Sequence, residues 1–187
     1  MHGAIVSNFK RYLDEFLGEG TWGEVINDAG LKGKTYLPVA LYPDGEMEAL
    51  LAAAERATGL RRDDLLADFG EWVIAPMMQM YQAVIPAGAN AIDFLLNLQQ
   101  THERIVHMKD PSASAPAIVV NRCGSDLVEI RYASQRNMGA MVPGAVKGVA
   151  AWFEEEAALL ACEPGDGEEV RFVFQFSEAH SSARQAV

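Results

Sequence analysis

Apolar residues recur at helical spacing from the start of the chain. Ile5, Phe9, Tyr12, Leu13 and Phe16 predict an amphipathic helix that ends at Gly18-Glu19-Gly20. Thr21 is placed to cap a second helix through Val25 and Ile26, which stops at Gly30. Leu31 to Asp44 holds Pro38 and Pro43 and reads as irregular. A third helix is predicted from about Gly45 to Thr58, closed by Gly59. A longer one starts near Arg61 and carries Leu65, Leu66, Phe69, Val73 and Met77, with Pro76 expected to bend or break it. Met77, Met78 and Met80 form a soft cluster of the kind that fills cores. After a turn at residues 86–90, a helix is predicted from Ala91 to about Met108.

The period then changes. Ala117-Ile118-Val119-Val120 is a short β run, and Leu127 to Tyr132 alternates apolar and charged residues. Met141 to about Cys162 reads as helix, with Val146, Val149, Trp152 and Phe153 on its apolar side. Residues 164–167 form a turn, and Val170 to Phe176 is a strand. The expected fold class is α+β: a helical N-terminal subdomain over about residues 1–62, then an α/β subdomain with an antiparallel sheet over about 63–178. Residues 1–178 read as one domain and 179–187 as a disordered tail.

With 187 residues the chain is long enough to bury a substantial core. No apolar run approaches the roughly 18 residues of a membrane span, and the N-terminus lacks the features of a signal peptide, so a cytoplasmic protein is expected. A net charge of −11 argues against nucleic acid and against anionic lipid as partners. The two cysteines, Cys123 and Cys162, make neither a disulfide framework nor a metal motif and read as small buried or half-buried residues. No CxxCH is present, so any haem would be held non-covalently.

Two features carry chemistry. His102 has Leu95, Leu98 and Gln99 before it and Ile105 and Val106 after it at helical spacing, which places it at the edge of an apolar stripe. By itself it reads more readily as a hydrogen-bonded core histidine than as a ligand. His107 is five residues on, not the four that a zinc-protease helix needs. The second feature is Tyr132-Ala133-Ser134-Gln135-Arg136. In an extended chain Tyr132, Ser134 and Arg136 share one side, each about 6.5–7 Å from the next. A phenol, a hydroxyl and a guanidinium then all donate toward anionic oxygens. Such a comb suits a ligand with two carboxylates, as haem has. In isolation it reads as a polar strand face turned to water.

Together these residues resemble the haem-nitric oxide/oxygen binding (H-NOX) family, related to the sensor domain of soluble guanylate cyclase. The resemblance spans Met1 to about Phe176. It rests on the opening Met1-x-Gly3-x-Ile5-Val6, on Ala67-Asp68-Phe69-Gly70, on His102, on Pro116 before the first strand, and on the full Y-x-S-x-R of Tyr132 to Arg136. It implies haem b held between the two subdomains, with His102 as the one protein ligand to iron. It further implies that Tyr132, Ser134 and Arg136 hold the propionates, that Pro116 packs on the macrocycle, and that Ile5 presses on it. Met77 and Met141 join them as cofactor contacts.

Gas choice is implied by Met141. O₂-binding members resemble one another in carrying a tyrosine there, and methionine cannot donate a hydrogen bond. A sensor of NO (and CO) that discriminates against O₂ is the expectation, with NO weakening the bond to His102 and shifting the helical half. Trp72 would upset this if its indole faced the iron; Val73 is the residue expected to face the pocket. Pro143 is expected to shift or kink the start of its helix. The chain carries no kinase or cyclase pattern, so output would pass to a separate histidine kinase or diguanylate cyclase, by analogy alone. The alternative is a haem-free receptor for a small carboxylate or lipid. A haem peroxidase ranks last, because no distal acid–base pair appears among Ile5, Phe9, Val73, Met77 and Met141.

Overall fold

The computed structural model describes residues 1–85, 87–98, 100, 117–165 and 167–179. They form two compact units, Met1–Met77 with Ala140–Ala145, and Met78–Gly139 with Val146–Val187.

The first unit is helical: α1 (Gly3–Phe16), α2 (Thr21–Asp28), α3 (Asp44–Thr58) and most of α4 (Arg62–Met80). The apolar face of α1 behaves as its periodicity requires: Phe9 and Leu13 are fully buried and Tyr12 nearly so. Phe9 meets Phe69 of α4 edge-on at 5.1 Å between ring centres, and Tyr12 meets the same ring at 5.6 Å. Each such buried side chain contributes about 1.5–3 kcal/mol. Gly59 closes α3 in the left-handed region at φ 72°, its N–H bonded to Glu55 O.

Two local expectations change here. Gly20 is the N-cap of α2; the Thr21 hydroxyl instead donates backward to Gly18 O at 2.7 Å. (His2 is the N-cap of α1, its Nδ1 accepting from Ala4 N at 3.2 Å.) Of the methionine cluster only Met78 is buried; Met77 is half-buried and Met80 exposed, because successive residues on one helix face different sides. Pro76 sits inside α4 and does not end it.

The second unit holds α5 (Ala91–Leu96), β1 (Ala117–Arg122), β2 (Leu127–Ala133), the body of α6 (Met141–Trp152), β3 (Glu155–Pro164) and β4 (Glu169–Glu178). The sheet is antiparallel throughout, in the order β1-β2-β4-β3. Val128 and Ile130 of β2 and Phe172, Phe174 and Phe176 of β4 form the buried face. The opposite face carries Glu129, whose carboxylate is gripped by Arg131 Nε at 2.9 Å and Arg171 Nε at 2.6 Å. The bond from Arg171, with Arg131 adding to it against the cost of burial, lowers the pKa of Glu129.

The helix expected to run from Met141 to Cys162 is half strand. α6 ends at Trp152, Glu154 turns the chain at φ 59°, and residues 155–164 pair with β4. Glu155 to Leu160 favours helix locally, but the ladder offered by β4 outweighs that preference. This also explains the cysteines, which are both exposed rather than buried: Cys162 lies on an edge strand and Cys123 in the β1–β2 turn. The helix expected over Ala91 to about Met108 is described only as far as residue 100, with residues 98 and 100 helical. α5 ends at Leu96 with Asn97 as C-cap, and residues 101–116 lie outside the described residues. No described helix is long and apolar enough to cross a membrane.

Candidate functional site

The Tyr132-Ser134-Arg136 group is built where β2 ends. Tyr132 is paired on both sides, with Ile118 of β1 and Val170 of β4, so its backbone is fixed. Its ring shares a face with Val128 and Ile130 by the strand's alternation and is half-buried. The three residues do not form the extended comb expected from spacing. β2 stops at Ala133, and the chain turns: Asn137 N–H reaches Ser134 O at 3.4 Å, with Asn137 in the left-handed region at φ 49°. Arg136 N–H donates to Ser134 Oγ at 3.2 Å.

The turn brings the Tyr132 and Ser134 side chains together. Burial raises the Tyr132 pKa; a hydrogen bond with Ser134 and the positive charge of Arg136 oppose that rise. A phenol and a hydroxyl therefore meet where the charge of a guanidinium acts on them, partly removed from water. All three can donate, and only the guanidinium is charged, so the group suits a carboxylate-bearing ligand. Haem propionates fit this donor set. A side-chain carbon on Gly139 would make ordinary van der Waals contact with Val170 Cγ2 at 3.8 Å and with the Tyr132 ring at 3.9 Å.

Ile5, Met77 and Met141 all belong to the first unit. Each is half-buried, whereas Ala4, Val6 and Phe9 beside Ile5 are fully buried. Met141 opens α6 and packs against Gly70 of α4, where a side-chain carbon would meet the Met141 Cγ at 3.0 Å and its carbonyl oxygen closer still. Pro143 is the third residue of α6, in the first turn, where no helical N–H is needed. The helix starts at Met141 as periodicity places it.

Val73 is buried at 1 % exposure, while the half-buried Trp72 packs on α1, 5.9 Å from the Tyr12 ring with the Arg11 guanidinium 5.4 Å over it. His102 and Pro116 lie outside the described residues.

One polar residue escaped the reading of the sequence. Asn8 is buried at 4 % exposure and donates to Ala4 O at 2.9 Å and to Met77 Sδ at 3.8 Å. The signal was available: Asn8 interrupts the row Ala4, Asn8, Tyr12, four residues apart on the buried side of α1.

The fold is that of the H-NOX proteins. The structure matches an H-NOX protein from S. oneidensis in the Fe(II) ligation state at a TM-score of 0.87 and 14% identity, covering 97% of this chain and 98% of that one. It matches an Fe(II) unliganded H-NOX protein from K. algicida at 0.82 and 24% identity, covering 95% and 97%. A third match is an H-NOX protein from T. tengcongensis, at 0.84 and 20%, covering 96% and 100%. The family model described as Haem-NO-binding matches residues 2–159, and the chain belongs to that family, the H-NOX domains. Its members are haem-based gas sensors, sensor domains rather than catalytic ones. No curated protein sequence matches the chain.

Proposed function

We propose that residues 1–178 form one domain that holds haem b non-covalently and senses NO while discriminating against O₂. The observation that carries this reading is the Tyr132-Ser134-Arg136 turn, a set of donors suited to carboxylates in a chain of the haem-NO-binding family. When bound, the haem would supply a ferrous iron that takes a diatomic gas. His102 would hold that iron through a ring nitrogen. Tyr132, Ser134 and Arg136 would donate hydrogen bonds to the propionates, and Pro116, Ile5 and Met77 would pack on the macrocycle.

Met141 sets gas choice by what it lacks. Bound O₂ carries partial negative charge and gains from a donor, and a thioether has none. NO and CO need no such help. Trp72, the donor that would most easily upset this, packs on Arg11 and Tyr12 of α1. Output passes to a separate effector in the cytoplasm, a histidine kinase or a diguanylate cyclase. Coupling requires that the gas bind two conformations with different free energies.

The test is an absorption spectrum of the reduced protein under argon, air and NO. A Soret band that shifts with NO and stays unchanged in air, apart from slow oxidation, is the expected result. A stable oxygen complex in air overturns the selectivity, and a protein that takes up no haem overturns the whole reading. Met141→Tyr is expected to slow O₂ dissociation or to create O₂ binding where none existed.

A further inference from the structure

The described residues bury two polar side chains, Glu129 and Asn8. Glu129 is consumed by the sheet's arginines. Asn8 stands alone among apolar neighbours on α1, where leucine would favour the helix more and fill the space without a polar group to satisfy. Filling the core therefore does not account for it.

Its geometry does. The Asn8 carboxamide has two N–H donors, and two acceptors meet it: Ala4 O at 2.9 Å and Met77 Sδ at 3.8 Å. Both neighbours only accept, so the nitrogen, not the oxygen, faces them. The two bonds are unequal. The first is of ordinary length to a backbone carbonyl. The second is long and ends on a thioether, a weak acceptor. The N–H toward Met77 is the one that a better acceptor would capture.

We propose that Asn8 is a masked hydrogen-bond donor of the gas site and that Met77 is its mask. The proposal rests on the haem reading above, in which Met77 contacts the cofactor. A donor free to point at the gas would favour O₂, whose bound form is partly negative, over NO. While the Met77 sulfur holds that proton, the pocket stays apolar in effect although it contains an amide. Selectivity then depends on a pair of residues, and Met141 is only part of it. Replacing the sulfur by carbon leaves a buried N–H with no acceptor, an arrangement costly enough to turn it toward a bound gas.

The experiment is a double-mutant cycle on the haem-loaded full chain: wild type, Met77→Leu, Asn8→Leu and the double variant. Leucine nearly conserves the volume of methionine, so the fold is expected to tolerate it. The O₂ dissociation constant is expected to fall about tenfold or more in Met77→Leu, equivalent to about 1.4 kcal/mol. It is expected to return to the wild-type range in the double variant. The C–O stretching frequency of the CO complex should shift in Met77→Leu and not in the double variant. Without any gas, the Asn8 side-chain amide cross-peaks in a ¹H–¹⁵N spectrum should move in Met77→Leu.

A gain in O₂ binding that is equal with and without Asn8 would mean a cavity effect and overturns the proposal. So do Asn8 amide signals indifferent to Met77. A chain that takes up no haem overturns this proposal together with the haem reading. A normal Soret band with no Asn8-dependent gain overturns this one alone.

Discussion

Gly144 of α6 lies against Ala67 of α4 so closely that one added carbon on Gly144 would collide with the Ala67 carbonyl. A few residues along, Gly70 of α4 takes the Met141 backbone in the same way. The two helices approach backbone to backbone, and this contact sets where Met141 sits. Gly144→Ala must therefore push the helices apart. In an open helical position, glycine to alanine gains about 0.5–1 kcal/mol; here overpacking is expected to cost about 1–3 kcal/mol instead. Gly45→Ala in α3, with open space around it, is the control expected to stabilise. Urea midpoints of the three proteins decide it, and a Gly144→Ala variant as stable as Gly45→Ala would refute the close approach.

Arg136→Ala removes the charged member of the turn at the end of β2. A hydrogen bond to a charged group contributes about 1.5–3 kcal/mol, so haem transfer to a scavenging protein should speed up about 10- to 150-fold. Far-ultraviolet circular dichroism should stay near wild type, because the Tyr132 backbone is held by two strands. An unchanged rate of haem loss would remove Arg136 from the site.

His102→Gly deletes the proposed iron ligand and leaves space for added imidazole. The variant should lose the wild-type ferrous spectrum and regain a ligated one with imidazole. His107→Gly should keep the wild-type spectrum. The reverse pattern would assign the ligand to His107.

Glu129 makes acid stability a property of the sheet. Its folded pKa is lowered, chiefly by Arg171 and then by Arg131, so its contribution is present above the unfolded value of about 4.3 and is lost as pH falls through the folded value. Glu129→Gln should cost about 1–2 kcal/mol at neutral pH, a modest figure because both arginines are partly exposed and screened by water. The gap between variant and wild type should close as the pH drops below about 4.3. Thermal melts at pH 7 and pH 3 measure this, and a gap that is constant with pH would show that the carboxylate charge is immaterial.

The sequence by itself determined the helices of the first unit, both central strands and the family. Apolar spacing of 3.6 or 2 residues is written in the residues themselves, as in Phe9 and Leu13 on α1 or Val128 and Ile130 on β2. The Y-x-S-x-R run is likewise local, so its residue types were legible without knowing its shape. Tertiary structure decided what depends on partners distant in sequence. Residues 155–160 became strand because β4 offered a ladder that a helix former could not refuse. The run from Tyr132 to Arg136 is not an extended comb because β2 ends at Ala133 and the chain turns after it. Asn8 acquired a role only when folding brought a sulfur 69 residues away to its amide. Periodicity reports which side of a helix is buried, but not which atom waits there, and hydrogen-bond chemistry depends on that atom.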